Sequence, residues 1–148
     1  MHLERYEFKI FENRYIFYSE GPKGKIQKDI LYQMVKGGGD PLYNLTFGDW
    51  NEKTQRIDDR IISNNGDKQK ILATIAASVL HFMEVNPDAF ILAKGSTQSR
   101  TRLYQMNISS YLAIITAYFK IEGFICNKWE IFQPGRNYKA FLLRRKKA

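Results

Sequence analysis

Two short turns carry most of the chemistry open to this sequence. One reads Asn64-Asn65-Gly66-Asp67; the other reads Lys94-Gly95-Ser96-Thr97 and is followed closely by Arg100 and Arg102. A glycine that lets a backbone approach, free N–H groups at a helix start, hydroxyls and guanidinium forks are the parts of a phosphate or carboxylate site. Arg100, nearer the turn, is the expected anion ligand. Arg102 lies about 200° further round the helix and is expected to pair with a carboxylate elsewhere. The plainer reading has Ser96 or Thr97 capping a helix and both arginines on its solvated face, although cations at a helix N-terminus are unfavourable without a negative partner. Asn64, Asn65 and Gly66 join the same site if the strands before the two turns lie parallel, since ligands of open α/β sheets gather at strand ends. Asp67 would repel an anion there, so the second turn has to supply the positive charge.

Other chemical groups are sparse. His2 is terminal, and His81 falls beside the apolar stripe of a helix, where it reads as a core or boundary residue. Asp58-Asp59 is an adjacent carboxylate pair without ligand partners nearby, and Cys126 is the only cysteine, which removes an internal disulfide and a cysteine-rich zinc site. No metal or cofactor is assigned. Tyr6, Phe8, Tyr15, Phe17 and Tyr18 could form either a base-stacking sheet face or a core. The net charge of +8 is unevenly placed: Met1 to Gly66 holds 10 Lys+Arg against 10 Asp+Glu, and Asp67 to Ala148 holds 13 against 5. Such asymmetry favours a phosphorylated or acidic partner of the second part, or, for Arg144 to Lys147, a solvated tail.

The elements that must position these residues follow from periodicity. Alternation over Tyr6 to Tyr18 about Glu12-Asn13 predicts a hairpin, with a third strand over Ile26 to Val35 or a helix over Lys28 to Val35. Gly37-Gly38-Gly39-Asp40-Pro41 is a loop. Tyr43, Leu45 and Phe47, a turn within Gly48 to Thr54, and Arg56 to Ile62 make a second hairpin. Asp67 is placed to cap a helix from Lys68 to Asn86 that presents Ile71, Leu72, Ile75, Val79 and Met83 on one face. Ala89 to Ala93 reads as a central strand. A second helix is expected from Thr97 to a C-cap at Gly123, and strands over Phe124 to Phe132 and Tyr138 to Arg144.

Ser63-Asn64-Asn65-Gly66-Asp67, Leu72-Ala73-Thr74-Ile75-Ala76, Lys94-Gly95-Ser96-Thr97, Ser99-Arg100-Thr101-Arg102-Leu103-Tyr104 and Gly135-Arg136-Asn137-Tyr138 resemble an uncharacterised family of small bacterial proteins, a domain of unknown function. The resemblance runs from Gly21-Pro22-Lys23-Gly24 to the basic end and implies no activity. The order of elements is also similar to the GCN5-related N-acetyltransferase fold, which implies a cofactor pyrophosphate on the turn Ser63 to Lys68. That turn departs from the family pattern in lacking a leading Gln or Arg and a second small residue, and in carrying Asp67.

The sequence thus predicts a single α+β domain over residues 1–148, with a mixed, mostly antiparallel sheet, a strand-helix-strand-helix unit, an acetyltransferase-like layout and a short basic tail. Nothing in it spans a membrane or resembles an export signal, and a cytoplasmic protein is expected. Its expected partner is nucleic acid or a phosphate-containing small molecule, through Asn64, Asn65, Gly66, Lys94, Gly95, Ser96, Thr97 and Arg100, with Asp67, Arg102 and Tyr104 in supporting positions. The rivals are an acyl-coenzyme-A-dependent N-acetyltransferase and a protein-interaction module with a small acidic partner, such as a toxin-antitoxin component. The sequence assigns no reaction.

Overall fold

The computed structural model describes residues 4–35, 39–58 and 64–146. His2, Gly37, Gly38, Asp59, the end of the expected return strand through Ile62, Ser63 and Lys147 lie outside the described residues. Within them the chain forms β1 (Lys9–Phe11), β2 (Arg14–Gly21), β3 (Gly24–Met34), β4 (Leu42–Asn51), β5 (Arg56–Asp58), α1 (Lys68–Val85), β6 (Phe90–Ala93), α2 (Gln98–Ser110), α3 (Leu112–Tyr118), β7 (Phe119–Ile125), β8 (Lys128–Ile131) and β9 (Ala140–Arg145). The fold is α+β, with a mixed, mostly antiparallel sheet in the order β1-β2-β3-β4-β6-β9-β7-β8 and β5 beside β4. Contacts divide the chain into two compact units: Met1–Tyr32 with Thr46–Val85, and Gln33–Leu45 with Asn86–Ala148.

In the first unit, β1 and β2 meet at Glu12-Asn13, where Glu12 takes the left-handed φ of 56° that a tight reversal demands. β3 is a strand, not a helix, because its residues from Gly24 to Leu31 are in register with β2. The alternating aromatics go inward: Tyr6, Tyr15, Phe17, Tyr32 and Phe47 are buried, whereas Tyr18 is exposed. Tyr32 stacks on Phe82 of α1 at 4.2 Å, and its hydroxyl shares a 2.8 Å hydrogen bond with Ser78. The first hairpin's rings therefore serve the core and do not form an open stacking platform. Burial without a charged partner also drives the Tyr15 phenol up to about 12. His81 shares a 2.7 Å hydrogen bond with that phenol through Nδ1.

In the second unit, β6 runs parallel to Leu42–Leu45 of β4 and antiparallel to β9. The strand that precedes the Asn64 turn was expected to be β6's parallel neighbour. Instead β5 pairs antiparallel with β4, so the two turns do not end a parallel pair. The long second helix is also shorter than expected. It breaks at Tyr111, whose φ of −115° leaves the helical range, and resumes as α3 only to Tyr118. Phe119 to Phe124 are claimed by β9, in register from Phe119↔Arg145 to Phe124↔Ala140, a backbone ladder that the helical pattern of Leu112, Ile115 and Phe119 does not reveal. What reads as one strand from Phe124 to Phe132 is the β7–β8 hairpin, turned by Cys126 and Asn127 at φ 52° and 61°.

Gly123 is therefore no helix cap but the middle of β7. A Cβ there would fall 2.3 Å from Cδ1 of Tyr138, so the missing side chain is the space that the Tyr138 ring fills. That ring packs with Phe132 and Phe141, and with Ala93, Ile108 and Ile121 they form the core of this unit, flanked by Tyr104, Leu112 and Ile115. Gly123→Ala is expected to lower stability by about 1–3 kcal/mol, as overpacking does in a close-packed core, measured by denaturant unfolding. An unchanged midpoint would show that the ring moves aside freely.

Candidate functional site

The Asn64 turn is built inward. Asn65 is 2% exposed; its Oδ1 accepts the Lys23 N–H at 2.7 Å, and its Nδ2 donates to the Gly24 carbonyl at 2.9 Å and to Ser19 Oγ at 3.2 Å. Gly21 passes so close that a Cβ on it would lie 1.9 Å from the Asn65 carbonyl oxygen. Asn64 Oδ1 accepts the Gly66 N–H, closing an Asx turn that lets Gly66 hold φ 76°. The Asp67 carboxylate accepts from the Tyr6 and Ser19 hydroxyls, each at 2.5 Å on Oδ2. Burial first, and that acidic neighbour second, raise the Tyr6 phenol above its ordinary value. This turn locks the β2–β3 reversal to the start of α1. The expectation that Asn65 faces a ligand is corrected: its hydrogen-bonding groups are spent inside the fold.

The Lys94 turn is also self-satisfied at its hinge. Thr97 caps α2, its Oγ1 accepting the Arg100 N–H at 3.1 Å, and Thr101 Oγ1 accepts the Gly95 N–H at 3.0 Å. A Cβ on Gly95 would sit 2.4 Å from the Thr101 nitrogen, so glycine is needed for the loop to fold down on the helix. Lys94 and Ser96 are exposed. Arg100, chosen from the sequence as the anion ligand, is 4% exposed and engaged within the protein. Arg102, expected to find a carboxylate, is exposed and makes no ion pair among the described residues. Arg100 is thus the covered arginine and Arg102 the exposed one. Position 100 follows the face that packs under Gly95, and position 102 points away from it.

Arg102 does have a setting. With Gln105, Met106, Ser109, Ser110 and Asn137 it lines a groove of about 520 Å³. Residues 102, 105, 106 and 109 share one face of α2, spaced as successive helical turns require. Asn137 is brought to them by the loop after β8. Gln105 accepts the Tyr138 N–H through Oε1 at 2.9 Å and donates through Nε2 to the Arg136 carbonyl. From the other side, Glu130 of β8 accepts from the Tyr138 hydroxyl at 2.7 Å and pairs with Arg136 Nε at 2.7 Å. The Tyr138 phenol, and then Arg136, hold the Glu130 carboxyl below the usual carboxylate range. Burial and Glu130 in turn raise the Tyr138 phenol. Two blocks far apart in sequence, Ser99 to Tyr104 and Gly135 to Tyr138, thereby shape one surface. Gln105, Met106, Ser109 and Ser110 were missed by the sequence reading, although their spacing along α2 was a usable signal. Asn137 carried none, because its place depends on a contact 31 residues away.

The charge excess follows the units. From the sequence, the first unit holds 11 Lys+Arg and 11 Asp+Glu, and the second holds 12 against 4, which is the entire +8.

The model of a family of unknown function, DUF6934, matches residues 2–146. The chain belongs to this family. No curated protein and no solved structure matches it. Membership adds no ligand, and the acetyltransferase-like layout gains no support from a solved relative. No described helix is long and apolar enough to cross a membrane.

Arg100→Gln is expected to cost about 2–3 kcal/mol, the loss typical of a buried charged group's hydrogen bonds, while Arg102→Gln stays within about 0.5 kcal/mol of wild type. Paired thermal melts decide this, and equal losses would contradict it. Glu130 gives a pH test. Because its folded carboxyl lies below its unfolded value, its contribution is complete at neutral pH. The contribution falls away as pH drops through the unfolded value of about 4.3 and is gone below the folded one. Glu130→Gln should flatten that acid limb in a melting-temperature profile; an unaltered limb would remove Glu130 from the account.

Proposed function

We propose that the second unit of this chain binds phosphate-bearing ligands, nucleic-acid backbone first and nucleotide-like molecules second, in a cytoplasmic setting. The observation that carries the reading is Arg102: an exposed guanidinium without an ion pair among the described residues, in a groove with Asn137 and two serines, on the unit that holds all the excess charge. Arg102 supplies a fork for phosphate oxygens, and Asn137, Gln105, Ser109 and Ser110 supply neutral hydrogen-bonding groups. Met106, 50% exposed, gives the groove an apolar floor suited to a base or sugar. Lys94 and Ser96, both exposed, remain candidates to extend the contact.

The acyl-coenzyme-A reading ranks second. The turn it would need is occupied by Asn65, and the Asp67 carboxylate stands at the start of α1, where a pyrophosphate would be repelled. The single free thiol, Cys126, fits a reducing compartment.

Fluorescence titration with single-stranded RNA and duplex DNA should give binding whose log–log salt slope is about −0.7 to −0.9 per phosphate neutralised. Arg102→Gln should lower affinity for all sequences alike and make the slope shallower by about one such unit. Lys23→Gln, in the neutral unit, should change neither. Absence of binding to any form at low salt, or a thermal shift with micromolar acetyl-coenzyme A in its place, would reject the reading.

A further inference from the structure

β8 closes the strand order, and its one described partner is β7. Its free edge can be read atom by atom. The Phe132 N–H bonds to the Ile121 carbonyl at 3.1 Å, and the register pairs Gly123 with Glu130 and Ile125 with Lys128. Hydrogen-bonded pairs alternate along an antiparallel ladder, so Lys128 and Glu130 turn their backbone groups toward β7. Trp129 and Ile131 turn theirs outward. Those same two residues expose their side chains, at 41% and 66%. Native sheets blunt such edges with charges, proline or bulges; here the charged side chains alternate with large apolar ones.

A strand that offers outward groups only at odd positions can pair with its own copy only where odd faces odd. Four antiparallel registers satisfy this on the four residues of β8; the one centred on Ile131 sets no other residue of β8 against β8 of the copy and makes no charge pair. Centring the two-fold on Lys128 sets Lys128 against its copy, and centring it on Glu130 sets Glu130 against its copy; like charges directly opposite are unfavourable. Centring it on Trp129 sets Lys128 against Glu130 of the copy twice over, and Trp129 against Trp129. Trp129 already lies on Phe124 at 5.1 Å, its partner in the β7 register. The pairing would therefore continue Phe124 and Trp129 of one copy into Trp129 and Phe124 of the other, an unbroken cross-strand aromatic ladder.

We propose that β8 is the seat of an isologous interface with a second copy of this chain, the two strands pairing antiparallel about Trp129. The register is selected by charge, the backbone groups of Trp129 bond to those of Trp129 in the copy, and the aromatic ladder supplies the apolar contact. The interface is small, and the positive charge of each second unit opposes it, so the association is weak and reversible. It rests on the β8 edge alone and is independent of phosphate binding.

Sedimentation of the full chain from low micromolar to several hundred micromolar, without nucleic acid, tests it. Wild type should shift from monomer to dimer with concentration. Lys128→Glu, which opposes Glu to Glu at two places, should weaken the dimer at least about tenfold. Trp129→Pro removes the outward N–H that faces the copy without touching the bonds to β7 and should also abolish the dimer. Both side chains are exposed, so melting temperatures near that of wild type verify that each variant is folded. If Trp129→Pro fails to fold, Trp129→Ala replaces it with the same expectation. A wild-type monomer throughout, or a dimer indifferent to either substitution, overturns the proposal.

Discussion

The second unit depends on a tyrosine ring lying where a side chain is missing. Gly123 leaves room on β7, and Tyr138 fills it. From that position the phenol donates to Glu130 and accepts the Gln133 N–H, while the backbone N–H of the same residue reaches Gln105 on α2. One residue thus ties β7, β8, the loop before β9 and α2 together. Arg136 and Asn137 are carried along because they are its immediate neighbours in sequence. The groove that results is a consequence of how the loop is anchored, and its polar lining sits on a tightly packed aromatic core.

A similar economy governs the first unit. Asn65 holds the Lys23 N–H, the Gly24 carbonyl and the Ser19 hydroxyl with one amide, and Asp67 gathers the hydroxyls of Tyr6 and Ser19 at the start of α1. Polar groups drawn into a partly dry setting call for partners, and those of Asn65 and Asp67 come from residues 41 to 61 positions away in sequence. The same composition on an exposed loop would be a plausible ligand cradle. What separates the two cases is the approach of Gly21, which leaves no space above Asn65 for anything else.

Charge is segregated between the units as it is between the two parts of the sequence, with none in net on the first and the whole excess on the second. The neutral unit contains matched pairs, Arg14 with Asp29 and Lys28 with Asp49, and Arg14 also lies over the Trp50 ring at 4.3 Å. The cationic unit pairs Arg136 with Glu130 and leaves Arg102 in its groove. Pairing inside one unit serves cohesion. An excess concentrated in the other generates a field with a direction, which is what an anionic ligand detects at a distance.

Most local structure is legible in the residues alone: the hairpin about Glu12-Asn13, α1 from Lys68, β6, a hydroxyl cap at Ser96 or Thr97 and the α+β class. Each of these rests on period, turn chemistry or capping, all of which act within a few residues. The sequence by itself also determined that positive charge collects in the second part. Tertiary structure decided where helix gives way to strand at Phe119, since β9 offers that segment a ladder that no local preference records. It decided that β6 takes β4 and not β5 as its parallel neighbour, and that Gly123 makes room for a ring instead of ending a helix. It also covered Arg100 and left Arg102 exposed. Residues 100 and 102 are equivalent in type and adjacent in position, and only the descent of Gly95 onto Thr101 fixes which one is covered, because burial is a property of what packs above a residue and leaves no mark in its neighbours along the chain.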